Sequence, residues 1–274
     1  MNSKWVYTGS LVMVVAGIML ASCAAREKTL LPDARSQYDY AMSRYEAGKY
    51  DDATLEFQKV LFNYPGVSFI DSVQYWFAMS YYMREDYHLA AAEFRRLVTN
   101  LGSSELTDDS QLMIGKAYLD ASPDNVGLDQ SDTEDAIKEL EAFLEDFPFS
   151  DRKAEGEALL LEAKEKMVAK HFKTAVQYKK LGSPSSARIY LEEIVTEEQF
   201  SKLVPQALFL LAEIDADQEK YSDARDKLDN LLRTYPDSEV AAQAEKLRRK
   251  MDEKLADMSE SSPAAVNDTG NDDE

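Results

Sequence analysis

Cysteine is all but missing: Cys23 is the only thiol in 274 residues. A disulfide framework and a thiolate metal site are both excluded. Histidine is nearly as scarce. His88 and His171 stand far apart, without the H-x-x-x-H spacing of a helix-borne zinc site. Both read as surface or partly buried structural histidines. Glycine and proline are few, ten and eight, and the glycines are isolated, so no P-loop or dinucleotide fingerprint can be drawn. Cations are in deficit as well, 31 Lys and Arg against 51 Asp and Glu, for a net charge of −20. Such a chain lacks the clustered positive charge that neutralises phosphate, which argues against nucleic acid as a partner and against a body lying flat on anionic lipid. Only one uninterrupted apolar run is prominent, LVMVVAGIML over residues 11–20. It is short of the about 20 residues that a membrane-spanning helix needs.

What is abundant is Ala, Leu, Glu, Lys and Tyr, a helical composition. The apolar run follows Lys4 and ends in Leu20-Ala21-Ser22-Cys23. That order reads as a bacterial lipoprotein signal, with residues 1–22 removed and Cys23 acylated as the new N-terminus. One acyl chain holds weakly and several hold firmly. The covalent lipid on Cys23 is the only non-protein group expected, with no cofactor and no metal. Ala24 follows the cysteine where an Asp favours inner-membrane retention, so an outer-membrane destination facing the periplasm is expected. About 250 residues remain, enough for one or two domains with a core.

A repeat runs through that remainder. Ala41, Ala78, Gly115, Ala175 and Ala212 mark its first helix, and three of the four intervals are 37 residues. Ala53, Ala90, Ala136, Ala187 and Ala224 mark its second helix, each 12 residues after its partner except in the third copy, where the gap is 21. A period near 34 with a small residue, tyrosine, alanine, aromatic and proline in this order is the tetratricopeptide pattern. The expected fold is all-α, a superhelical array of five such helix pairs, in which neither helix buries its apolar face alone. The small residues permit helix approach at about 8–10 Å. Phe57, Phe94, Leu140, Leu191 and Leu228 fill the space between pairs. Pro65, Pro148 and Pro236 end second helices, Gly48 and Gly182 cap first helices, and Pro205 opens the last repeat's first helix.

Two irregularities interrupt the period. The third copy carries about nine extra residues between its helices, around 120–132. The interval from Ala136 to Ala175 is 39 residues where 25 is regular. The latter predicts a lengthened first helix in repeat four, over 153–180. The expected organisation is a signal peptide (1–22), a lipidated tether (23–33), repeats one to three (34–152), repeats four and five (153–258) and a disordered acidic tail (259–274). The acidic stretch 129–135 lacks the order of a calcium loop. Ser131 with Glu134 reads there as a capping box for the helix of Ala136, in preference to a metal site.

No catalytic constellation is found, so an enzyme is not expected. The candidate surface lies on the first helices, where Tyr38, Met42 and Tyr45 in copy one and Tyr75, Met79 and Tyr82 in copy two share a face. Tyrosine and methionine offer large adaptable apolar contact and a hydroxyl for backbone amides, which suits an extended polypeptide. The same side chains are equally able to pack between repeats.

The lipobox, the five repeats, Tyr64-Pro65, the insertion at 129–132 and the lengthened helix around 163–180 together resemble the BamD family, over roughly residues 23–238. These are the tetratricopeptide lipoprotein subunits of the outer-membrane β-barrel assembly machinery. The resemblance implies N-terminal repeats that bind C-terminal segments of unfolded outer-membrane proteins, with Tyr64 in the contact region. It also implies C-terminal repeats that dock on a BamA-type barrel subunit, and other assembly lipoproteins as further partners. Residues 181–190 (LGSPSSARIY) depart from the family, which usually has an aromatic after the glycine region and a basic residue where Tyr190 stands. Lys180 and Arg188 are the cations at hand, and with Tyr190 they form the candidate docking set. A periplasmic scaffold for cell division or peptidoglycan synthesis, or a glycan-binding surface lipoprotein, are the alternatives. The first commonly carries a coiled coil that the short tether cannot hold, and the second usually presents tryptophan platforms.

Overall fold

The computed structural model describes residues 31–261. The expected leader 1–22, the expected acylation at Cys23, the expected tether as far as residue 30 and the expected tail from residue 262 lie outside the described residues. Among the described residues the chain forms eleven helices and no strand. These are α1 (Ala34–Glu46), α2 (Tyr50–Asn63), α3 (Ile70–Tyr82), α4 (Tyr87–Asn100), α5 (Thr107–Ala121), α6 (Ser131–Asp146), α7 (Lys153–Lys180), α8 (Pro184–Glu197), α9 (Val204–Asp217), α10 (Tyr221–Thr234) and α11 (Ala241–Ser261). The first ten form the five pairs that the period requires. The eleventh closes the series by packing Ala244, Leu247 and Met251 against α10 and its neighbours. It runs to Ser261, beyond the residue 259 at which the sequence places the start of the tail.

The chain divides into two compact units, with the boundary in sequence between Val73 and Gln74 within α3. In the first, α1 packs on α2 through Ala41 and Ala53, both without solvent exposure, above a fully buried Phe57. In the second, each helix from α4 onward packs on the next, and α5 also touches α7. The paired small residues Ala78 with Ala90, Ala175 with Ala187, and Ala212 with Ala224 are fully buried, as are Phe94, Leu140, Leu191 and Leu228. Gly115 shows why the position must be small. A Cβ there would lie 2.6 Å from Leu140 Cγ and 3.3 Å from the Leu140 backbone nitrogen.

The turns follow local rules with one addition. Gly48 and Gly182 take positive φ, 70° and 74°, which only glycine adopts without strain. Thirty-seven residues after each, Glu85 and Glu219 hold the same left-handed conformation at 64° and 61°. The turn geometry is therefore imposed by helix pairing even where glycine is not supplied. Helices α2, α6 and α10 end at Asn63, Asp146 and Thr234, two residues before Pro65, Pro148 and Pro236. Pro205 lies in the first turn of α9, and Pro184 does the same for α8.

The capping box at Ser131 is not formed. Helix α6 starts at Ser131 itself, and Gln130 holds the N-cap position without a side-chain cap. The Ser131 amide donates to Asp129 Oδ1 at 3.2 Å. Gln130 is drawn inward instead: fully buried, it accepts from the Thr133 hydroxyl at 2.7 Å and donates to the carbonyls of Pro123 and Asn125. A buried amide with three partners outweighs one exposed cap.

Helix α7 spans the predicted 28 residues, about 42 Å at 1.5 Å per residue. The third-copy insertion, residues 122–130, lies against it. Lys166 Nζ donates to the Ser122 carbonyl at 3.2 Å and to its hydroxyl, and Lys173 Nζ donates to Asn125 Oδ1 at 3.0 Å. The two irregularities of the sequence thus meet in space.

Candidate functional site

Helix periodicity puts Tyr38, Met42 and Tyr45 on one side of α1, all half-buried. The Tyr38 ring leans on Phe57 at 5.9 Å and on Phe69 at 5.5 Å, with the Arg35 guanidinium 5.3 Å above it. Burial raises its phenol above the ordinary range. Tyr45 meets Tyr50 edge-on at 5.4 Å. Tyr64 caps α2 and donates its hydroxyl to the Leu31 carbonyl at 3.2 Å.

The second unit repeats this arrangement with a shift of 37 residues. Tyr75 leans on Phe94 at 5.5 Å, and Tyr82 meets Tyr87 edge-on at 5.4 Å. Tyr75, Met79 and Tyr82 all pack, partly buried, against the cluster built on Ala78, Ala90 and Phe94. The Tyr82 hydroxyl donates to the Asp120 carboxylate at the end of α5. Burial first, then that hydrogen bond and the Asp120 charge, push the Tyr82 phenol far up. Tyr38, Tyr45, Tyr75 and Tyr82 are therefore each held by a neighbouring ring and each remain partly exposed.

A polar pair that sequence inspection passed over recurs within each of repeats one to three. Gln37 donates to Glu56 at 2.5 Å, Gln74 to Glu93 at 3.0 Å, and Gln111 to Glu139 at 3.0 Å. Each glutamate also meets a cation: Lys59 at 2.7 Å, Arg96 at 3.0 Å and Arg95 at 2.6 Å. The signal was legible, since each glutamine stands four residues before the small residue and each glutamate three residues after the second-helix alanine. Repeat four replaces the pair by His171 and Tyr190, whose rings are 5.7 Å apart. Repeat five has Leu208 and Lys227. Repeats one to three and four to five thus differ in chemistry.

That replacement locates the docking candidates. Tyr190 stacks on Tyr178 at 5.9 Å and packs against the repeat-four and repeat-five core. Arg188 is committed to Asp215, a carboxylate only 1% exposed that also receives Lys227 Nζ at 2.7 Å. Burial alone would raise the Asp215 carboxyl. The hydrogen bonds and charges of Lys227 and Arg188 overcome it and hold the group below the usual carboxylate range. Lys180 alone of the three is exposed. Close to it in the chain stand two large exposed apolar residues that sequence reading passed over, Leu181 at 78% and Ile189 at 66%. Alignment of the turns marks Leu181, since the residue before the left-handed position is Ala47, Arg84 and Gln218 in the other three such turns, and only repeat four places a large apolar side chain there.

No group of three or more metal-ligating side chains gathers among the described residues, and none of their helices is long and apolar enough to cross a membrane.

Comparison with solved structures returns helical-repeat proteins. A thermophilic tetratricopeptide protein of Thermus thermophilus is 17% identical, with 82% of this chain and 100% of that chain covered, at a TM-score of 0.34. The TPR2AB-domain:pHSP90 complex of yeast Sti1 is 15% identical, with 80% and 98% covered, at the same TM-score of 0.34. No curated protein matches the sequence. A tetratricopeptide-repeat model matches residues 206–238, which hold most of α9 and all of α10. A model of the YfiO family, described as outer membrane lipoprotein, matches residues 32–216. With helix pairs in series throughout and that match over well more than half of its length, the chain belongs to the YfiO outer-membrane lipoprotein family.

Proposed function

We propose that this protein is a non-enzymatic scaffold of the outer-membrane β-barrel assembly machinery, anchored by lipid on Cys23 with its repeats in the periplasm. It receives C-terminal segments of unfolded barrel precursors and docks on a BamA-type barrel subunit, with other assembly lipoproteins joining. The observation that carries this reading is the YfiO family match over residues 32–216. The half-engaged tyrosine faces of α1 and of α3, each taken by itself, support binding of extended chains. Their rings are held by packing and remain partly exposed, and pre-positioned rings lower the entropy lost when a peptide lies across them. The exposed Leu181 and Ile189 support docking in repeat four, because large apolar residues near one turn favour a partner over water.

Purification from detergent tests the reading. A barrel-forming partner is expected to co-purify, and Leu181→Glu with Ile189→Glu is expected to release it while helix content is unchanged. A solitary monomer from the wild type would count against the assembly role. Peptide affinity tests the tyrosines separately. Tyr45→Ala with Tyr82→Ala is expected to weaken binding of barrel C-terminal peptides several-fold. Tyr82→Phe, which keeps the ring on Tyr87, controls for lost packing.

A further inference from the structure

Helix α11 turns one side to α10 and leaves the other side open. Ala244, Leu247 and Met251 form the inner edge. Lys246, Lys250 and Lys254 recur one turn apart, all exposed. The cations between them are engaged, Arg248 with Asp229 at 3.3 Å and Arg249 with Glu245 at 2.9 Å. No ion pair reaches the three lysines among the described residues, although acidic side chains dominate the molecule. Like charges one turn apart repel, and an anionic chain lying along them relieves that repulsion. The surface there is a shallow depression lined by Ala242, Glu245, Lys246, Arg249, Lys250 and Glu253. Glu245 is taken by Arg249, so the depression retains more free positive than negative charge.

We propose that this basic face is occupied by the chain's own residues 262–274. The segment carries Asp268, Asp272, Asp273 and Glu274 and no cation, in register with the need. Its reach is sufficient. Asp268 is seven residues past Ser261, up to about 23 Å of chain at about 3.3 Å per residue. Lys254 and Lys250 stand only about 11 and 17 Å back along the helix at about 1.5 Å per residue. After a reversal, Asp268 comes beside Lys254 and Lys250, and residues 272–274 come beside Lys246. The tether supplies a millimolar effective concentration, which makes weak exposed charge pairs add up to occupancy. An acidic partner of the last helix must then compete with the protein's own segment.

Zero-length carbodiimide cross-linking of the full chain, as an equal mixture of ¹⁵N-labelled and unlabelled protein, tests this. Links from Lys246, Lys250 or Lys254 to the acids at 268–274 are expected within one isotopic copy, falling at least fivefold in 1 M salt, where screening acts within about 3 Å. A second readout avoids the linked groups. Acylation of the three lysines by a soluble ester is expected to rise at least threefold in Asp268→Asn/Asp272→Asn/Asp273→Asn/Glu274→Gln, relative to the exposed Lys138. Links of mixed isotope would assign the face to a second copy. Absent links with unchanged acylation would leave the segment elsewhere. Either outcome overturns the proposal.

Discussion

Asp215 is the residue on which three helices converge, since α8 sends Arg188 and α10 sends Lys227 to a carboxylate of α9 that solvent barely reaches. Its folded-state pKa is depressed, so the stability it contributes is present above its unfolded value of about 4 and is lost as pH falls through the lower folded value. Urea midpoints between pH 7 and pH 3 should therefore decline in the wild type. Asp215→Asn should be weaker by about 2 kcal/mol at pH 7 and should lack that part of the acid-induced decline. The figure falls short of the about 3–5 kcal/mol for breaking a fully buried pair, because both cations keep some solvent access. Gly115 makes the opposite point, about volume. Leu140 is fully buried and cannot step aside, so Gly115→Ala should cost about 1–3 kcal/mol in the same measurement. An unchanged midpoint would show that α5 and α6 can separate without loss.

At the level of elements, the sequence made much visible because the repeat imposes one geometry on many segments. The small residues, the buried aromatics, the prolines after second helices and the 28 residues of α7 were legible, since each rests on spacing along a single helix or pair. Less was legible where a contact depends on helices distant in the chain. The capping box failed because Gln130, a polar residue of no apparent note, is buried against the loop carbonyls. Spacing along α3 puts Tyr75, Met79 and Tyr82 on one side, but does not reveal that Asp120, 38 residues on, holds the Tyr82 hydroxyl. The insertion was seen as length alone, while its role as a strap depends on Lys166 and Lys173, 44 and 48 residues beyond their partners. Lys166→Met keeps the helix and the stem but removes the donor to Ser122. It should cost about 1–2 kcal/mol and raise amide hydrogen exchange across residues 122–130 without altering exchange in α9 and α10. Exchange unchanged in the loop would mean that Gln130 and Lys173 hold it without Lys166.

For the molecule as a whole, the question is what keeps so acidic a chain at a membrane. A net charge of −20 opposes anionic lipid, and no described helix has the length and hydropathy to span a bilayer. On the lipid anchoring proposed above, direct attachment to the bilayer rests on acyl chains at Cys23, each buried CH₂ contributing about 0.8 kcal/mol, so that several chains hold against salt and dilution. Electrostatic and lipid anchoring differ in their response to ionic strength: the former weakens as salt screens it, the latter does not. Membranes carrying the wild type should keep it through washes in 1 M salt. The chain from residue 24 onward, exported behind a cleavable leader without Cys23, should appear in the soluble periplasmic fraction with the same helix content and melting temperature. Persistence of that form at the membrane would transfer the anchoring role from Cys23 to a protein partner, and loss of that persistence on Leu181→Glu with Ile189→Glu would identify repeat four as the surface responsible.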